Sequence, residues 1–277
     1  MEYMLRFGEI GLKGGNRSLF EKKLENNISL MLKKQGADFT ITRMRGRIFV
    51  QSKEPVSLRN VFGLVSYSPI ARIEKDLESV KDYIRKNLLQ KFENKRFKVV
   101  ASRADKSFSK TSPEIEKELG MFIQENISSS VDLKNYNAIL GVEVHGRGII
   151  LFTEIIRCFG GLPSGIEGRV VLLLDKPYSD IAGLLAMKRG CSIFPVAFEK
   201  KEISLLQRYS PEELTLEIIK DETEIRQVAA KNNCLAVISG QTIKDFEDIA
   251  TGIPVLRPLV GYSEREIKEL KQRYEEI

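Results

Sequence analysis

The sequence has few of the residues on which metal, disulfide and membrane chemistry depend. It contains one histidine, three cysteines and no tryptophan among 277 residues. A single imidazole excludes a histidine-rich metal site, and scattered cysteines without CxxC spacing indicate neither a disulfide framework nor a zinc site. No apolar run approaches the roughly 20 residues that span a bilayer, and the N-terminus lacks signal-peptide features. We therefore expect a cytoplasmic protein without a membrane partner.

The cysteines are Cys158, Cys191 and Cys234, and buried structural thiols are their simplest interpretation. A catalytic thiol needs surroundings that lower its pKa. Cys191 directly follows a basic helix end, although the helix dipole there opposes a thiolate, and the neighbours of Cys234 offer no such surroundings. Both are retained as candidate nucleophiles beside the structural interpretation.

The net positive charge of the chain is confined to its first part. Residues 1–168 hold 28 Lys and Arg against 20 Asp and Glu, whereas residues 169–277 hold 16 against 18. A local excess of this kind is typical of a protein that contacts a phosphate backbone, although solvated surface lysine produces the same count.

The first 75 residues alternate strand and helix patterns. MEYMLRFGEI predicts a strand, Asn16 is placed to cap a helix from Arg17, and DFTITRMRGRIFVQS predicts strands around the turn at Arg45-Gly46. A helix end, a turn at Gly63 and a further strand complete the pattern. This order fits a β-α-β-β-α-β ferredoxin-like domain over residues 1–75.

Two further domains are expected, over residues 76–160 and 161–277. The first has two amphipathic helices, one opening at Ser112 with Pro113, a strand between them and a hairpin around residues 145–148. After a glycine-dense linker at 159–169, short apolar strands alternate with helices, which indicates a mainly parallel sheet covered on both faces. The fold class is therefore α/β, with an α+β N-terminal half.

The third domain opens with VVLLLDKPYSDIAGLLAMKRG from Val170. A strand, a turn and a helix in this order often hold a nucleotide phosphate, because the helix N-terminus offers free N–H groups and a positive dipole end. The turn DKPYSD contains no glycine. Its structural interpretation is that Ser179 caps the helix and Gly190 ends it.

Several motifs follow one another in an order that points to a known family. They are GEIGLKGGNRSLFEKKL at 8–24, VFGLVSYSP at 61–69, FKVVASRADKSF at 97–108, SPEIEKELG at 112–120, GGLPSGIEGRVVLLL at 160–174, AGLLAMKRG at 182–190 and IPVLRPLVGYSEREI at 253–267. They resemble the tRNA 4-thiouridine synthetase family, which is also linked to thiamine-thiazole synthesis. The resemblance implies a ferredoxin-like domain, a THUMP domain that binds tRNA, and a PP-loop domain that adenylates a uridine with ATP before sulfur is inserted.

The chain departs from this family where the ATP would bind. In place of an SGGxDSPVAG loop it has a stretch from Asp175 to Gly183 that is one residue shorter and lacks the loop glycines, and only Ser179 aligns. Pro177 has no N–H to offer, and a carboxylate about 4 Å from a phosphate charge costs roughly 4 kcal/mol at an effective dielectric near 20. The positions that correspond to the nucleotide site are Asp175, Lys176, Ser179 and Asp180. The family's longer stretch between Phe198 and Leu235, with its arginine-rich helix and cysteine, is also shortened here.

The candidate RNA-binding residues lie in the N-terminal half, where the motifs are intact. They are Lys13, Asn16, Arg17, Lys98, Arg103, Lys106 and Lys110. Such residues suit an A-form acceptor stem, which proteins recognise by shape and phosphate contacts. Phe108 could stack on an unpaired base or belong to the core. Arg43, Arg45 and Arg47 are predicted to face one side of a strand, as a solvated face.

Two hypotheses follow. In the first, the protein binds tRNA through its THUMP domain and the PP-loop domain has become a scaffold, acting alone or presenting tRNA to a separate sulfur-transfer or PP-loop enzyme, with no cofactor. In the second, it is an active, divergent tRNA sulfurtransferase that uses ATP with magnesium, with thiamine-thiazole sulfur transfer as a further role. A homodimer is compatible with either.

Overall fold

A computed structural model describes residues 1–12, 14–44 and 46–276. The strands are β1 Glu2–Phe7, β2 Phe39–Met44, β3 Arg47–Ser52, β4 Leu64–Ile73, β5 Arg96–Arg103, β6 Ser130–Val131, β7 Ala138–His145, β8 Gly148–Phe152, β9 Ile156–Arg157, β10 Arg169–Leu173, β11 Ser192–Ala197, β12 Glu217–Ile218, β13 Cys234–Ser239 and β14 Val255–Leu256. The α-helices are α1 Arg17–Lys34, α2 Leu77–Asn87, α3 Ser112–Asn126, α4 Ser179–Lys188, α5 Ser204–Tyr209, α6 Ile225–Lys231 and α7 Glu264–Glu275. In this part of the chain no helix combines the length and apolar character needed to cross a membrane.

The chain forms two compact units. The first comprises Met1–Met4, Phe49–Gln51 and Tyr67–Ile156. The second comprises Leu5–Ile48, Ser52–Ser66 and the chain from Arg157 onward. The domain boundaries at 75/76 and 160/161 stay predictions.

Nine strands of the described chain form one mixed sheet. Their order is β2-β3-β1-β4-β8-β7-β5-β6, and β9 pairs with β4. The predicted hairpin is present, because β7 and β8 are antiparallel with His145 opposite Gly148. In the first unit, α2 and α3 cover one face of this sheet, and apolar side chains such as Val99, Leu119 and Leu140 are fully or almost fully buried between them. This burial fixes the end of β5, from which the candidate RNA-binding loop starts.

Helix α3 begins at Ser112, the residue predicted to cap it, and therefore one residue earlier than predicted. Thr111 occupies the N-cap position, and the carboxylate of Glu114 accepts a hydrogen bond of 2.7 Å from the backbone N–H of Thr111. Pro113 lies in the first turn, where a missing N–H costs nothing. The capping contact fixes the chain directly after Lys110.

Two predictions for the N-terminal segment are wrong in detail. Helix α1 begins at Arg17 as predicted, but Asn16 has a helical backbone and its side chain makes no capping hydrogen bond to the described residues. An N-cap side chain reaches the first N–H groups from an extended backbone, which Asn16 does not adopt. Residues 53–63 form no helix, whereas Gly63 makes the predicted turn with a φ of +101°.

The C-terminal sheet is parallel, as predicted. Its order is β12-β11-β10-β13-β14, and every neighbouring pair is parallel. Residues of α4, α5 and α7 bury one face, including Leu184, Leu206 and Ile267, and residues of α6 such as Val228 bury the other. Hydrophobic cover on both faces explains why the strands read as apolar runs. The structure thus has the predicted α/β class, with a mixed sheet in the N-terminal half and a parallel sheet in the C-terminal part.

The glycine-dense segment at 159–169 packs against the end of α4. The N–H of Leu162 donates to the carbonyl of Lys188, and the N–H of Glu167 donates to the carbonyl of Gly190, both at 2.9 Å. Gly161 has a φ of +79°, and a Cβ there would lie 2.2 Å from the carbonyl oxygen of Lys188. Only glycine permits this approach, so the segment predicted as a linker is a packed part of the second unit.

Candidate functional site

The loop that follows β5, residues 104–110, is the centre of the candidate RNA-binding surface in the first unit; we call it the basic loop. Arg103, the last residue of β5, turns its guanidinium back onto the loop. Its Nη1 donates to the carbonyl oxygens of Phe108 at 3.1 Å and Lys110 at 2.9 Å. The side chain of Phe108 is partly buried and packs against the core of this unit. Arg103 therefore holds the far end of the basic loop.

The near end of the basic loop is held by Asp105. Its carboxylate accepts from the ammonium of Lys75 at 2.5 Å and from the N–H and hydroxyl of Ser107 at 2.8 and 2.7 Å. These hydrogen bonds, with Lys75 the largest cause, hold the pKa of Asp105 far below its usual range. The N–H groups of Ala104 and Asp105 both donate to the carbonyl of Val144 in β7. The backbone on either side of Lys106 is thus fixed.

The cations of the basic loop differ in their freedom. Lys110 forms an ion pair with Glu118 of α3, which also accepts from Lys81 of α2 at 2.8 Å. Hydrogen bonds from Lys110 and then Lys81 lower the pKa of Glu118. The ammonium of Lys106 is exposed, and among the described residues none forms an ion pair with it. Lys98 of β5 places its ammonium 4.5 Å from the centre of the Tyr136 ring, a cation–π contact.

The second unit carries the remaining predicted RNA-binding residues, at the start of α1. The Nε of Arg17 donates to Glu21 at 2.7 Å, and Arg43 of β2 lies 3.7 Å from the same carboxylate. Lys13 and Arg45 lie outside the described residues. Arg43 and Arg47 belong to different strands, β2 and β3, so the prediction that they share one strand face is wrong. The turn around Gly46, with a φ of +78°, separates them.

The turn between β10 and α4, residues 175–180, lies at the carboxyl edge of the parallel sheet. The N–H of Lys176 donates to the hydroxyl of Ser179, and the N–H of Ser179 donates to the carbonyl of Lys176, both at 3.2 Å. Pro177 has no N–H. Three of these six residues, Lys176, Pro177 and Ser179, therefore have no free N–H to offer a ligand.

Ser179 does not cap α4, contrary to the structural interpretation of the turn. Tyr178 occupies the N-cap position and Ser179 is the first helical residue. The Ser179 hydroxyl instead accepts from Lys176 and lies 3.5 Å from a carboxylate oxygen of Asp175. Through the hydrogen bond from the N–H of Lys176, the Ser179 hydroxyl stabilises the turn. Gly190 follows the end of α4 with a φ of +100°, as predicted.

The charges of the turn are compensated within the protein. Lys176 Nζ lies 2.5 Å from an oxygen of Glu247 and 4.0 Å from one of Asp175. The hydrogen bond with Glu247 is the main reason why the pKa of Lys176 is raised. Burial raises the pKa of Asp175, whose side chain is 13% exposed. Asp180 faces Lys271 of α7 at 3.7 Å.

The loop after β13 closes tightly over this turn. A Cβ on Gly240 would lie 2.6 Å from the N, Cα and Oγ of Ser179. Arg257 donates to the buried amide oxygen of Gln241 at 2.7 Å and to the carbonyl of Glu247 at 2.9 Å. Beside the turn, a cavity of about 350 Å³ is lined by residues of the turn, of this loop and of the α7 N-terminus. Apolar side chains such as Tyr178 and Ile243 form much of its wall.

The candidate nucleophiles lie in surroundings that disfavour a thiolate. Burial is the largest cause of a raised pKa at both Cys191 and Cys234, and it brings that of Cys234 to about 11. Glu167 adds to the effect at Cys191. Burial also raises the pKa of Cys158 to about 12. In the described residues, no three His, Cys, Asp or Glu side chains are grouped so that they could hold a metal ion.

The chain is similar to known proteins in both sequence and structure. The ThiI ferredoxin-like domain matches residues 2–68 and the THUMP domain matches residues 74–154. The probable tRNA sulfurtransferase of Acetivibrio thermocellus is 31% identical, with 98% of this chain and 83% of that protein covered. That of Moorella thermoacetica is 32% identical, with 98% and 82% covered. The alignment with the first extends over 329 positions, so part of that relative has no counterpart in the 277 residues here.

Two solved structures resemble the whole chain. PH1313 from Pyrococcus horikoshii superposes with a TM-score of 0.86 at 32% identity, covering 98% of both chains. A 4-thiouridine synthetase, solved as an RNA complex with bound ATP, superposes with a TM-score of 0.79 at 30% identity, covering 98% of this chain and 84% of the other. The resemblance extends through all three parts of the fold. The chain belongs to the tRNA sulfurtransferase family.

Proposed function

We propose that this protein binds tRNA through its ferredoxin-like and THUMP parts, and that its parallel-sheet domain no longer binds ATP at residues 175–180. The observation that carries the first part is the basic loop, which projects the exposed Lys106 from a fixed backbone. It lies within the stretch that matches the THUMP domain. The neighbouring 4-thiouridine synthetase was solved with RNA, which supports the same assignment.

The chemistry of the N-terminal half suits a double-stranded acceptor stem. The narrow major groove of A-form RNA excludes side chains, so proteins bind it by shape and by contacts to phosphate and 2′-hydroxyl groups. The excess of Lys and Arg in residues 1–168 supplies such contacts. Lys98, Lys106, Arg17 and the undescribed Lys13 are the cations we assign to this role, with Asn16 beside them.

Two features of the turn support the loss of ATP binding. A PP-loop holds pyrophosphate through several converging N–H groups, and in this turn Lys176 and Ser179 use theirs for each other. Lys176 is also compensated by Glu247 and Asp175. Each uncompensated carboxylate about 4 Å from a phosphate charge costs roughly 4 kcal/mol at an effective dielectric near 20, which is about a thousandfold in affinity.

In this proposed function the protein needs no cofactor. It presents tRNA to a separate sulfur-transfer or PP-loop enzyme, or acts on its own, in the cytoplasm and as a monomer or homodimer. The proposal includes two further points. The third domain descends from a PP-loop domain, and a link to thiamine-thiazole sulfur transfer is open only as a further role.

A divergent, active tRNA sulfurtransferase is the second candidate. The observation in its favour is the retained strand, turn and helix of residues 169–188 with a cavity at the carboxyl edge of the sheet, where α/β proteins bind ligands. ATP with magnesium would then be held by Lys176, Ser179 and the N-terminus of α4. The raised pKa values of Cys191 and Cys234 count against a thiol in the sulfur-transfer step.

Isothermal titration with Mg-ATP and with bulk tRNA at two salt concentrations separates the candidates. The proposal expects tRNA binding that weakens steeply with salt, and no heat with ATP up to about millimolar concentrations. Micromolar ATP binding would show that the second candidate is correct. Binding of tRNA without salt dependence would contradict the phosphate-contact surface.

A further inference from the structure

We propose that Arg103 promotes RNA binding as a positioning residue, by fixing the loop that presents Lys106, and not as a phosphate ligand. The inference rests on the proposed tRNA binding and assigns separate roles within it. By residue type alone, Arg103, Lys106 and Lys110 are three equivalent cations in one loop. Their hydrogen bonds make them different.

The guanidinium of Arg103 is engaged by the protein itself. A single nitrogen, Nη1, donates to two carbonyl oxygens that belong to Phe108 and Lys110, five and seven residues along the chain. The two N–H groups on Nη1 lie in the plane of the guanidinium and point in fixed directions, whereas an ammonium on a flexible stem is a point charge. The carbonyl of Lys110 directly precedes the N-cap of α3. Arg103 thus joins the end of β5 to the start of α3.

A second anchor holds the same loop from the other side. Lys75, which lies between β4 and α2, pairs with Asp105, and Asp105 also binds the N–H and hydroxyl of Ser107. Lys75 is therefore a second positioning residue, and its charge is compensated within the protein. Lys106 lies between the two anchors, so its Cα has little freedom while its ammonium remains exposed.

Lys110 offers a matched cation in the same loop. Its ammonium pairs with Glu118, which Lys81 also contacts. A phosphate would have to displace this carboxylate to reach Lys110, whereas among the described residues Lys106 has no ionic partner to lose. The geometry points to Lys106 as the phosphate contact of the loop and to Arg103 and Lys75 as the residues that hold it in place.

The test is a double-mutant cycle on tRNA affinity, measured by filter binding over a range of salt concentrations. Lys106→Gln is expected to weaken binding and to lower the slope of log Kd against log salt by about one, the signature of one lost phosphate contact. Arg103→Lys keeps the charge but loses the planar, fixed N–H groups of Nη1, and we expect it to weaken binding almost as much. The double variant is expected to bind no more weakly than Lys106→Gln alone, because residues that act through one another are not additive.

Three outcomes overturn the inference while leaving tRNA binding intact. They are additive losses in the double variant, full affinity in Arg103→Lys, and unchanged affinity in Lys106→Gln. Lys110→Gln is the matched control and is expected to leave affinity within about twofold and the slope unchanged. If Arg103→Lys does not fold, Lys75→Met loosens the other anchor and enters the same cycle. Wild-type binding without salt dependence would contradict the proposed function instead.

Discussion

Lys176 and Glu247 form an ion pair, with 2.5 Å between Nζ and Oε1. The lysine belongs to the turn between β10 and α4, and the glutamate comes from the loop between β13 and β14. A phosphate bound at this turn would need the same ammonium. The protein's own carboxylate therefore occupies the position that an anionic ligand would take.

Replacing the carboxylate of Glu247 measures how much its ion pair with Lys176 contributes to the free energy of unfolding. Glu247→Gln removes the main cause of the raised pKa of Lys176, which should fall toward its ordinary value. Because Glu247 is 61% exposed, the pair contributes only about 0.2 to 1 kcal/mol to the free energy of unfolding. We expect a loss of this size in urea denaturation at low salt, and almost none near 1 M salt, where the Debye length is about 3 Å.

The same variant is informative in an ATP titration. Pro177 and the partly buried Asp175 remain in place, so Glu247→Gln alone should not produce micromolar ATP binding. Such binding would mean that the ion pair by itself blocks the site. Glu199→Gln is the matched control, since Glu199 forms an equally short, exposed pair with Lys201 and not with a residue of the turn. It should cost a similarly small amount of stability and leave the ATP titration unchanged.

The close approach of Gly240 to the turn predicts a strong effect of one methyl group. In Gly240→Ala the new Cβ meets the backbone N and Cα of Ser179 at 2.6 Å, and backbone atoms cannot move aside as a flexible side chain can. We expect a loss of roughly 1 to 3 kcal/mol in the free energy of unfolding, measured by urea denaturation.

Gly261→Ala supplies the comparison for this substitution. A Cβ on Gly261 has no neighbour within 4 Å among the described atoms, so its stability should change by no more than about 0.5 kcal/mol. Equal stability of the two alanine variants would mean that the loop after β13 does not lie against Ser179 in solution.

The elements around the turn were largely predictable from the sequence, whereas its hydrogen bonds were not. The apolar run from Val170 and the glycine at 190 define β10 and α4 to within a few residues, because strand burial and a positive φ leave a local pattern. The partner of Lys176 is Glu247, 71 residues away. No local pattern encodes such a contact, and the loop that carries Glu247 has no helix or strand of its own.

In the candidate RNA-binding surface, too, the sequence predicts where the cations lie but not which contacts they make. Sequence reasoning placed Arg103, Lys106 and Lys110 in one connection between a strand and a helix, and the structure does the same. It did not identify Lys75 or Glu118, whose roles depend on α2 and α3 packing beside β5. Charge and spacing locate cations in a loop, but only tertiary contacts decide which of them are already paired.

The ion pair at the near end of the basic loop predicts a dependence of stability on pH. Asp105 has a folded pKa held well below its ordinary value of 3.8, chiefly by Lys75. A depressed pKa stabilises the folded state at pH values above 3.8, and the contribution is lost as pH falls below that value toward the folded pKa. Asp105→Asn should therefore lower the urea midpoint at neutral pH.

Wild type and Asp105→Asn should converge as the pH is lowered from about 4 toward 2. A difference in urea midpoint that stays constant over this range would show that Asp105 acts by packing and not by charge. Lys75→Met provides the partner variant. Because the two side chains pair directly, Lys75→Met combined with Asp105→Asn should cost less than the sum of the single losses.

The final prediction concerns the thiols, which decide between a scaffold and an enzyme that carries sulfur on cysteine. Burial raises the pKa of Cys158 to about 12 and that of Cys234 to about 11, and it also raises the pKa of Cys191. Alkylation requires the thiolate. At pH 7.5 the native protein should therefore react with iodoacetamide far more slowly than a free thiol with a pKa near 8.5, and all three cysteines should react rapidly in urea.

Mass spectrometry of the alkylated peptides identifies which cysteine reacts. Rapid labelling of Cys191 or Cys234 alone in the native protein, abolished by its replacement with serine, would favour the active sulfurtransferase. Slow and uniform labelling supports the scaffold, because a persulfide carrier must expose a thiolate to its sulfur donor. If the native protein labels slowly at all three thiols and sulfur still reaches the bound tRNA when a sulfur-transfer enzyme is added, the sulfur is carried on that other protein, which is one of the two arrangements that the proposal allows.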